Sequence, residues 1–284
     1  MMKEKTIVTL TSYGKRLGNL PIVLDTIFNQ TMQPDLVVLN LAFGESVPED
    51  VVEYLKQHDV EVNRVPDTKV YKKLIPTLKR YQEACVISID DDFLYPQGMI
   101  EDFLYIHQHY PNNPISGNRV VCYGMQCHCG CASLTKREYF GDLLEIIDDT
   151  LMLNCPSDDL VYTYLAAYLG HPYLRTKEVY YDNMISFNEG ESYSDMIVGN
   201  LGIEKTFMYM VERLGEKRNS FSGYLEDVYL ASFLDSLYAK VFLQEITDAK
   251  ERGIMETENR IRSSYAYRLG KALLKPLSWI KRIG

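Results

Sequence analysis

The sequence predicts an α/β chain: a mostly parallel, doubly wound sheet flanked by helices, followed by a helical appendage. Three observations predict it. Short β-branched runs alternate with helical periodicity through the first ninety residues. The connections between them are brief, which suits parallel strands with helices packed over the faces. From about Lys205 onward the period is helical.

Each element has its own signal. Residues 6–10, 35–41, 60–65 and 85–90 are short apolar, β-branched runs and read as strands. Between them, Leu20, Val23, Leu24, Ile27 and Phe28 share one helical face, as do Val51, Val52 and Leu55, and then Leu74, Leu78 and Tyr81. Residues 115–123 read as another strand, 136–149 as a helix, and 157–169 as a helix capped by Ser157. Helical patterns over 206–214 and from about 224 to 252 complete the chain. The division falls near Gly215, giving a sheet domain over 1–215 and a helical region over 216–284.

Charge is distributed unevenly. The 284 residues carry 30 Lys and Arg against 39 Asp and Glu, a net charge of −9. Residues 260–284 hold seven bases (Arg260, Arg262, Arg268, Lys271, Lys275, Lys281 and Arg282) and no acid, so the body before them is more acidic than the total suggests. An acidic body excludes a bulk nucleic-acid binder, and an apolar fraction of 46% excludes a disordered chain. The first residues lack the apolar run of a secretory leader, and no stretch has the roughly 20 apolar residues of a membrane span. The expectation is a cytoplasmic protein, with Cys85, Cys122, Cys127, Cys129, Cys131 and Cys155 as thiols.

In a parallel sheet, ligands bind beyond the carboxyl ends of the strands. The fourth strand ends in Asp90-Asp91-Asp92, followed by Tyr95-Pro96. Three acids at the end of a buried strand repel one another, and a hard divalent cation, Mn2+ or Mg2+, offsets that repulsion. Strand alternation puts Asp90 and Asp92 on one side and Asp91 on the other. A polar loop capping the next helix is the plain alternative. A second acidic pair, Asp158-Asp159, opens the helix after Ser157; acids there complement the helix dipole, and one can also serve as a general base. Hydrogen bonds from the helix amides would depress its pKa and weaken that base.

After the first strand, Thr11, Ser12, Tyr13, Gly14, Lys15 and Arg16 combine hydroxyls, a turn and cations suited to a base, ribose or phosphate. Lys73, next to Leu74-Ile75-Pro76, can meet a diphosphate, with a solvated helix face as the alternative. Neither a P-loop nor a dinucleotide glycine pattern is present.

Taken in this order, the segments resemble the bacterial GT-A glycosyltransferases of the family-2 kind, which use nucleotide-diphosphate sugars. The resemblance rests on Ile7–Tyr13 with Arg16, on Asn29-Gln30-Thr31 through Pro34-Asp35 with Leu39-Asn40-Leu41, on Lys73–Pro76, and on Ile89–Asp92 with Tyr95-Pro96; Ser157-Asp158-Asp159 extends it over about residues 5–200. It implies a GT-A fold and the transfer of a sugar to a hydroxyl of a cell-surface glycan or its lipid-linked precursor. It also implies Asp92 and Asp90 as metal ligands, with Asp90 nearer the ribose and Asp91 beside the nucleotide sugar. Thr11, Ser12, Tyr13, Arg16 and Lys73 would hold the nucleotide sugar. Asp159, with Asp158 beside it, would be the base of an inverting displacement. A non-catalytic binder of nucleotide sugar or glycan, or a sugar nucleotidyltransferase, are the alternatives.

Two features depart from that pattern. Gln126-Cys127-His128-Cys129-Gly130-Cys131 stands where a glycine-rich acceptor segment is expected. With Cys122 it raises the question of zinc, although reduced packed thiols fit the spacing better. Residues 260–284 also form a basic amphipathic helix with the chain's single Trp, Trp279, interrupted at Pro276. That is the pattern of a helix lying on an anionic membrane at the inner face of the cell membrane. Docking on the acidic body or on a second copy of the chain is the alternative.

Overall fold

The computed structural model describes residues 4–118, 120–122, 125–176, 185–186 and 200–214. The chain divides into two units, Met1–Ser232 and Phe233–Gly284, and the described residues all lie in the first. The helical pattern over 224–252 and the basic tail lie outside the described residues.

The chain begins with three βα units: β1 (Thr6–Thr11), α1 (Leu20–Phe28), β2 (Leu36–Ala42), α2 (Glu49–Gln57), β3 (Glu61–Val65) and α3 (Ile75–Arg80). Then come β4 (Cys85–Ile89), the two-residue β5 (Phe93–Leu94) and α4 (Met99–His109). The middle holds β6 (Ile115–Ser116), β7 (Val121–Cys122), β8 (Met125–Gln126) and β9 (Ala132–Thr135). Last are α5 (Asp149–Asn154), α6 (Asp158–Tyr168), β10 (Leu174–Arg175), β11 (Ile185–Ser186) and α7 (Asn200–Arg213).

Seven strands form one sheet in the order β10-β6-β9-β4-β1-β2-β3. Every pairing is parallel except those of β9, which runs antiparallel between β4 and β6. This is the mostly parallel α/β sheet that the sequence predicts. The runs of β1 and β4 are buried on both faces, as strands between helical layers must be. Edge strand β3 alternates, with Arg64 exposed and Val65 buried. Pro21 and Pro76 sit in the first turns of α1 and α3, where a missing N–H costs nothing. Helix α6 is buried around most of its circumference; Tyr162, Tyr164 and Leu165 join Tyr71, Phe140 and Met210 in one core.

Two predicted elements are corrected. The helix expected over 136–149 is a pair of 3-10 turns, Arg137–Tyr139 and Gly141–Ile146. Gly141 opens the second of them at φ +46, a conformation no α-helix contains. The strand expected over 115–123 is interrupted after Ser116. There Asn118 Oδ1 accepts from Val120 N at 3.0 Å and from Gln126 Nε2 at 3.0 Å, so a side-chain-bonded turn replaces the ladder.

Topology creates the site. From β1 the chain steps outward to β2 and β3, then crosses back to β4 on the other side of β1. The loops leaving β1 and β4 therefore part in opposite directions and open a crevice at their carboxyl ends. Because β9 is antiparallel, with Ile89 opposite Ala132, its leading loop Cys127–Cys131 reaches the same edge.

Candidate active site

The loop after β1 supplies Arg16, and the loop after β4 supplies the three acids. Arg16 Nη2 contacts Asp91 Oδ1 and lies 2.9 Å from Asp92 Oδ2. The guanidinium also lies over the Tyr13 ring, 5.5 Å from its centroid, while that ring stays 47% exposed at the mouth of the crevice. Ser12 is buried beside Asp91, whose pKa burial raises against the opposing pull of Arg16 and Ser12. Thr11 Oγ1 donates to Asn40 O at 2.7 Å and so joins β1 to β2.

The expected alternation of the acids is corrected. Strand β4 ends at Ile89, and the chain turns at Asp91-Asp92, so period two no longer applies. Asp91 and Asp92 share Arg16, while Asp90 pairs with Lys73, Nζ to Oδ1 at 2.5 Å. Tyr95 fixes the turn: its hydroxyl accepts from Asp90 N at 2.8 Å and donates to Asp90 O at 3.1 Å.

Lys73 is a buried hub. Its backbone carbonyl accepts from Thr9 Oγ1 at 2.7 Å and from Asn40 Nδ2 at 3.1 Å, and both residues are fully buried in β1 and β2. Asn40 also donates to Thr77 Oγ1 at 2.9 Å and accepts from Asn63 Nδ2 at 2.8 Å, so its amide has protein partners on both sides. Beyond Asp90, the Lys73 ammonium meets the second acidic pair. Burial works against its charge, but Asp90, Asp158 and Asp159 outweigh burial and raise its pKa. A Cβ on Gly130 would lie 2.4 Å from Lys73 Nζ and 3.3 Å from Asp159 Oδ1, so glycine lets the Cys127–Cys131 loop pass without displacing the ammonium.

Asp158 and Asp159 begin α6, as expected. Ser157 occupies the N-cap position, but its side chain makes no capping bond. The expected depression of these pKa values is also corrected. Burial raises both, and the neighbouring Asp158 charge adds to the rise at Asp159. The Asp159 side chain is 44% exposed, yet its Oδ1 is enclosed and lies 3.9 Å from His128 Nε2. His128 is fully buried and neutral, because burial and the Lys73 charge hold its pKa well below the usual imidazole range. Its Nδ1 lies 3.0 Å from Tyr173 Oη, and its backbone N donates to Thr163 Oγ1 at 2.8 Å. Thr163 in turn donates to Asp159 O at 2.6 Å. Sequence reasoning considered His128 only as a metal ligand and passed over Gly130 and Thr163; the antiparallel turn into β9 is what brings them here.

The acids fit a divalent cation. Asp91 Oδ2, Asp92 Oδ1, Asp158 Oδ2 and Asp159 Oδ1 are buried acceptors with no hydrogen-bond partner among the described residues. Burial, with Asp90 adding, pushes the Asp92 carboxyl up to about 6 against the pull of Arg16. No three metal-capable atoms within this site lie within 4.8 Å of one another. An ion here would therefore be held by one or two carboxylates and completed by substrate oxygens. The same measure disposes of a zinc cage at the cysteines among the described residues. Cys129 and Cys131 pair, Sγ to Sγ 2.9 Å, and Cys122 lies beside Cys127.

No protein-family profile matches the chain, and no curated protein matches it in sequence. Solved structures do resemble it. TarS residues 1–349 from S. aureus, in complex with UDP, matches at TM-score 0.50 and 12% identity, over 88% of this chain and 78% of that one. That likeness bears out the α/β fold implied by the sequence. The mannosyltransferase PcManGT of Pyrobaculum calidifontis, in complex with GDP-Man and Mn2+, matches at TM-score 0.47 and 13% identity, over 92% and 84%. A 4-diphosphocytidyl-2C-methyl-D-erythritol synthase matches at TM-score 0.43 and 11% identity, over 69% and 98%.

Proposed function

We propose that the chain is a metal-dependent glycosyltransferase that moves a sugar from a nucleotide-diphosphate donor to an acceptor hydroxyl with inversion. One observation carries the reading. Two buried acidic groups with separate surroundings face the same crevice at the switch point, Asp90–Asp92 under Arg16 and Lys73, and Asp158-Asp159 beyond Lys73. The exposed Tyr13 ring offers a stacking face for the nucleotide base, and Ser12 and Thr11 line the floor beside it. Asp92 and Asp90 would hold Mn2+ or Mg2+, which when bound supplies positive charge to the departing diphosphate. Arg16 and Lys73 add fixed positive charge at the same end.

Asp159 is the base. Burial raises its pKa and makes it a stronger base than an ordinary carboxylate, and its exposed oxygen faces the approach of an acceptor. It takes the acceptor hydroxyl proton as that oxygen bonds to the anomeric carbon, and the carbon's bond to the diphosphate oxygen breaks with its electron pair. Thr163 and the His128 backbone fix the start of α6 that carries it. The acceptor in this reading is a cell-surface glycan or its lipid-linked precursor. The basic tail over 260–284 would hold the enzyme to an anionic membrane; among the described residues no helix is long and apolar enough to cross one.

The experiment is product analysis. The purified chain is incubated with nucleotide-diphosphate sugars, acceptor glycans and Mn2+. Release of a nucleoside diphosphate supports the reading, release of pyrophosphate makes the chain a nucleotidyltransferase, and tight donor binding without turnover of any donor makes it a binder.

A further inference from the structure

At the opposite, amino-terminal end of the strands, three metal-capable side chains converge away from the crevice. Glu4 immediately precedes β1, Cys85 opens β4, and His107 lies in the last turn of α4. They are the one group of three or more among the described residues whose ligand atoms all lie within 4.8 Å of one another. Cys85 and His107 are buried, and about a third of the Glu4 side chain reaches solvent. Backbone pairing sets the geometry: Cys85 N donates to Lys5 O at 2.9 Å, so the start of β4 is fixed against the residue following Glu4.

The hydrogen-bond partners of His107 accommodate a cation. Tyr139 Oη donates to Pro111 O at 2.6 Å, so it turns an acceptor lone pair toward His107 Nδ1, 3.4 Å away. Nε2 lies 3.1 Å from Glu4 Oε2, to which its N–H can donate in the metal-free protein. With the ring proton on Nδ1 instead, Nε2 and Glu4 Oε2 are two acceptors turned toward one shared ion. An imidazole that presents one nitrogen to a metal while the other donates to an oriented oxygen is the usual arrangement around bound zinc. Glu4 Oε1, the oxygen turned away from His107, accepts from Lys136 Nζ at 2.6 Å, and this holds the carboxylate in place.

We propose that Glu4, Cys85 and His107 form a structural Zn2+ site, with a fourth position open to solvent. Zinc bonds of about 2.0–2.3 Å in a tetrahedron set ligand atoms about 3.3–3.6 Å apart. The three atoms, all within 4.8 Å of one another, would have to close by no more than about 1.5 Å to meet that spacing. One thiolate and one carboxylate neutralise the ion, and binding releases the Cys85 proton to solvent. The ion staples the segment before β1 to β4 and α4 on the face remote from catalysis, so it acts on stability.

The test uses the full chain stripped of metal with a chelator. Expected results are uptake of one Zn2+ per chain and a rise in Tm of about 5 °C at a hundredfold excess over Kd. Co2+ should give a thiolate-to-metal charge-transfer band that Cys85→Ser abolishes and Cys129→Ser keeps. Because Cys85 is buried, Glu4→Gln serves as the variant least able to disturb folding; it should weaken Zn2+ binding by about tenfold or more. No uptake, or uptake unaffected by Glu4→Gln and Cys85→Ser, overturns the proposal.

Discussion

The two acidic groups of the crevice are built differently. Asp90, Asp91 and Asp92 stand in a turn and have cationic partners in direct contact, Lys73 on the first and Arg16 on the other two. Asp158 and Asp159 stand in a helix turn with, among the described residues, no ion-paired cation in contact; Lys73, shared with Asp90, acts on them through space. Burial raises carboxyl pKa values in both groups, but Arg16 opposes the rise at Asp91 and Asp92, whereas at Asp159 the neighbouring Asp158 adds to it. In the first group a guanidinium in contact favours the charged form, and in the second a like charge disfavours it. The first suits a cation and a diphosphate, the second an acceptor hydroxyl.

That division is broken or sharpened most strongly by neutralising one acid in each group. Asp159→Asn is expected to lower kcat by about 10²–10⁴-fold while donor affinity is kept. Asp92→Asn is expected to lose Mn2+-dependent donor binding itself. Isothermal titration with donor sugar, run beside turnover assays, separates the two. If both variants lose donor binding alike, the two groups are a single site.

How much of this was legible in the sequence follows from how local each signal is. Strands β1, β2 and β4 are nearly continuous buried runs, so their apolar patterns reveal them within a residue or two, and edge strand β3 shows itself by alternation. The region over 136–149 misleads because Tyr139, Phe140, Leu144 and Ile147 are all buried at helix-like spacing, while the decisive feature is the backbone of Gly141. The acids and Arg16 follow strand ends and are found by position. Lys73's partners are not, because Thr9 and Asn40 meet its carbonyl, and Thr77 meets both of them, only after β1, β2 and α3 pack. The reach of Gly130 into the site depends on one antiparallel strand in an otherwise parallel sheet, which periodicity does not distinguish.

The next largest effect concerns the charge the two groups share. Lys73→Met leaves Asp90 without its ion-pair partner and removes the cation opposing the rise in pKa at Asp158 and Asp159. Removing one partner of a buried pair costs about 3 kcal/mol. Urea unfolding should show a lower midpoint with an unchanged slope. A midpoint equal to that of the parent would mean that Lys73 contributes nothing to holding the groups together.

A smaller effect is expected at the loop that separates them. Gly130→Ala places a methyl group 2.4 Å from Lys73 Nζ, and the ammonium must shift from its position against Asp90. A displacement on this scale is expected to lower kcat by about tenfold with little change in Tm. Unchanged kcat would show that Lys73 tolerates movement and that its position is not part of the chemistry.

The finest distinction is a shift in a pH profile. Asp159 must be ionised to accept a proton, so kcat falls as pH drops through its raised pKa. The Asp158 charge contributes to that rise, so Asp158→Asn should lower the Asp159 pKa and move the acidic limb to lower pH. The maximal rate should also fall somewhat, because a carboxylate of lower pKa is a weaker base. In the parent the limb belongs to the coupled pair; in the variant it belongs to Asp159 alone and should follow a single ionisation. A limb that stays in place would mean that burial alone sets the Asp159 pKa. A limb that moves to higher pH would mean that Asp158 acts chiefly by keeping Lys73 close to Asp159, and the second group would then depend on the same cation as the first.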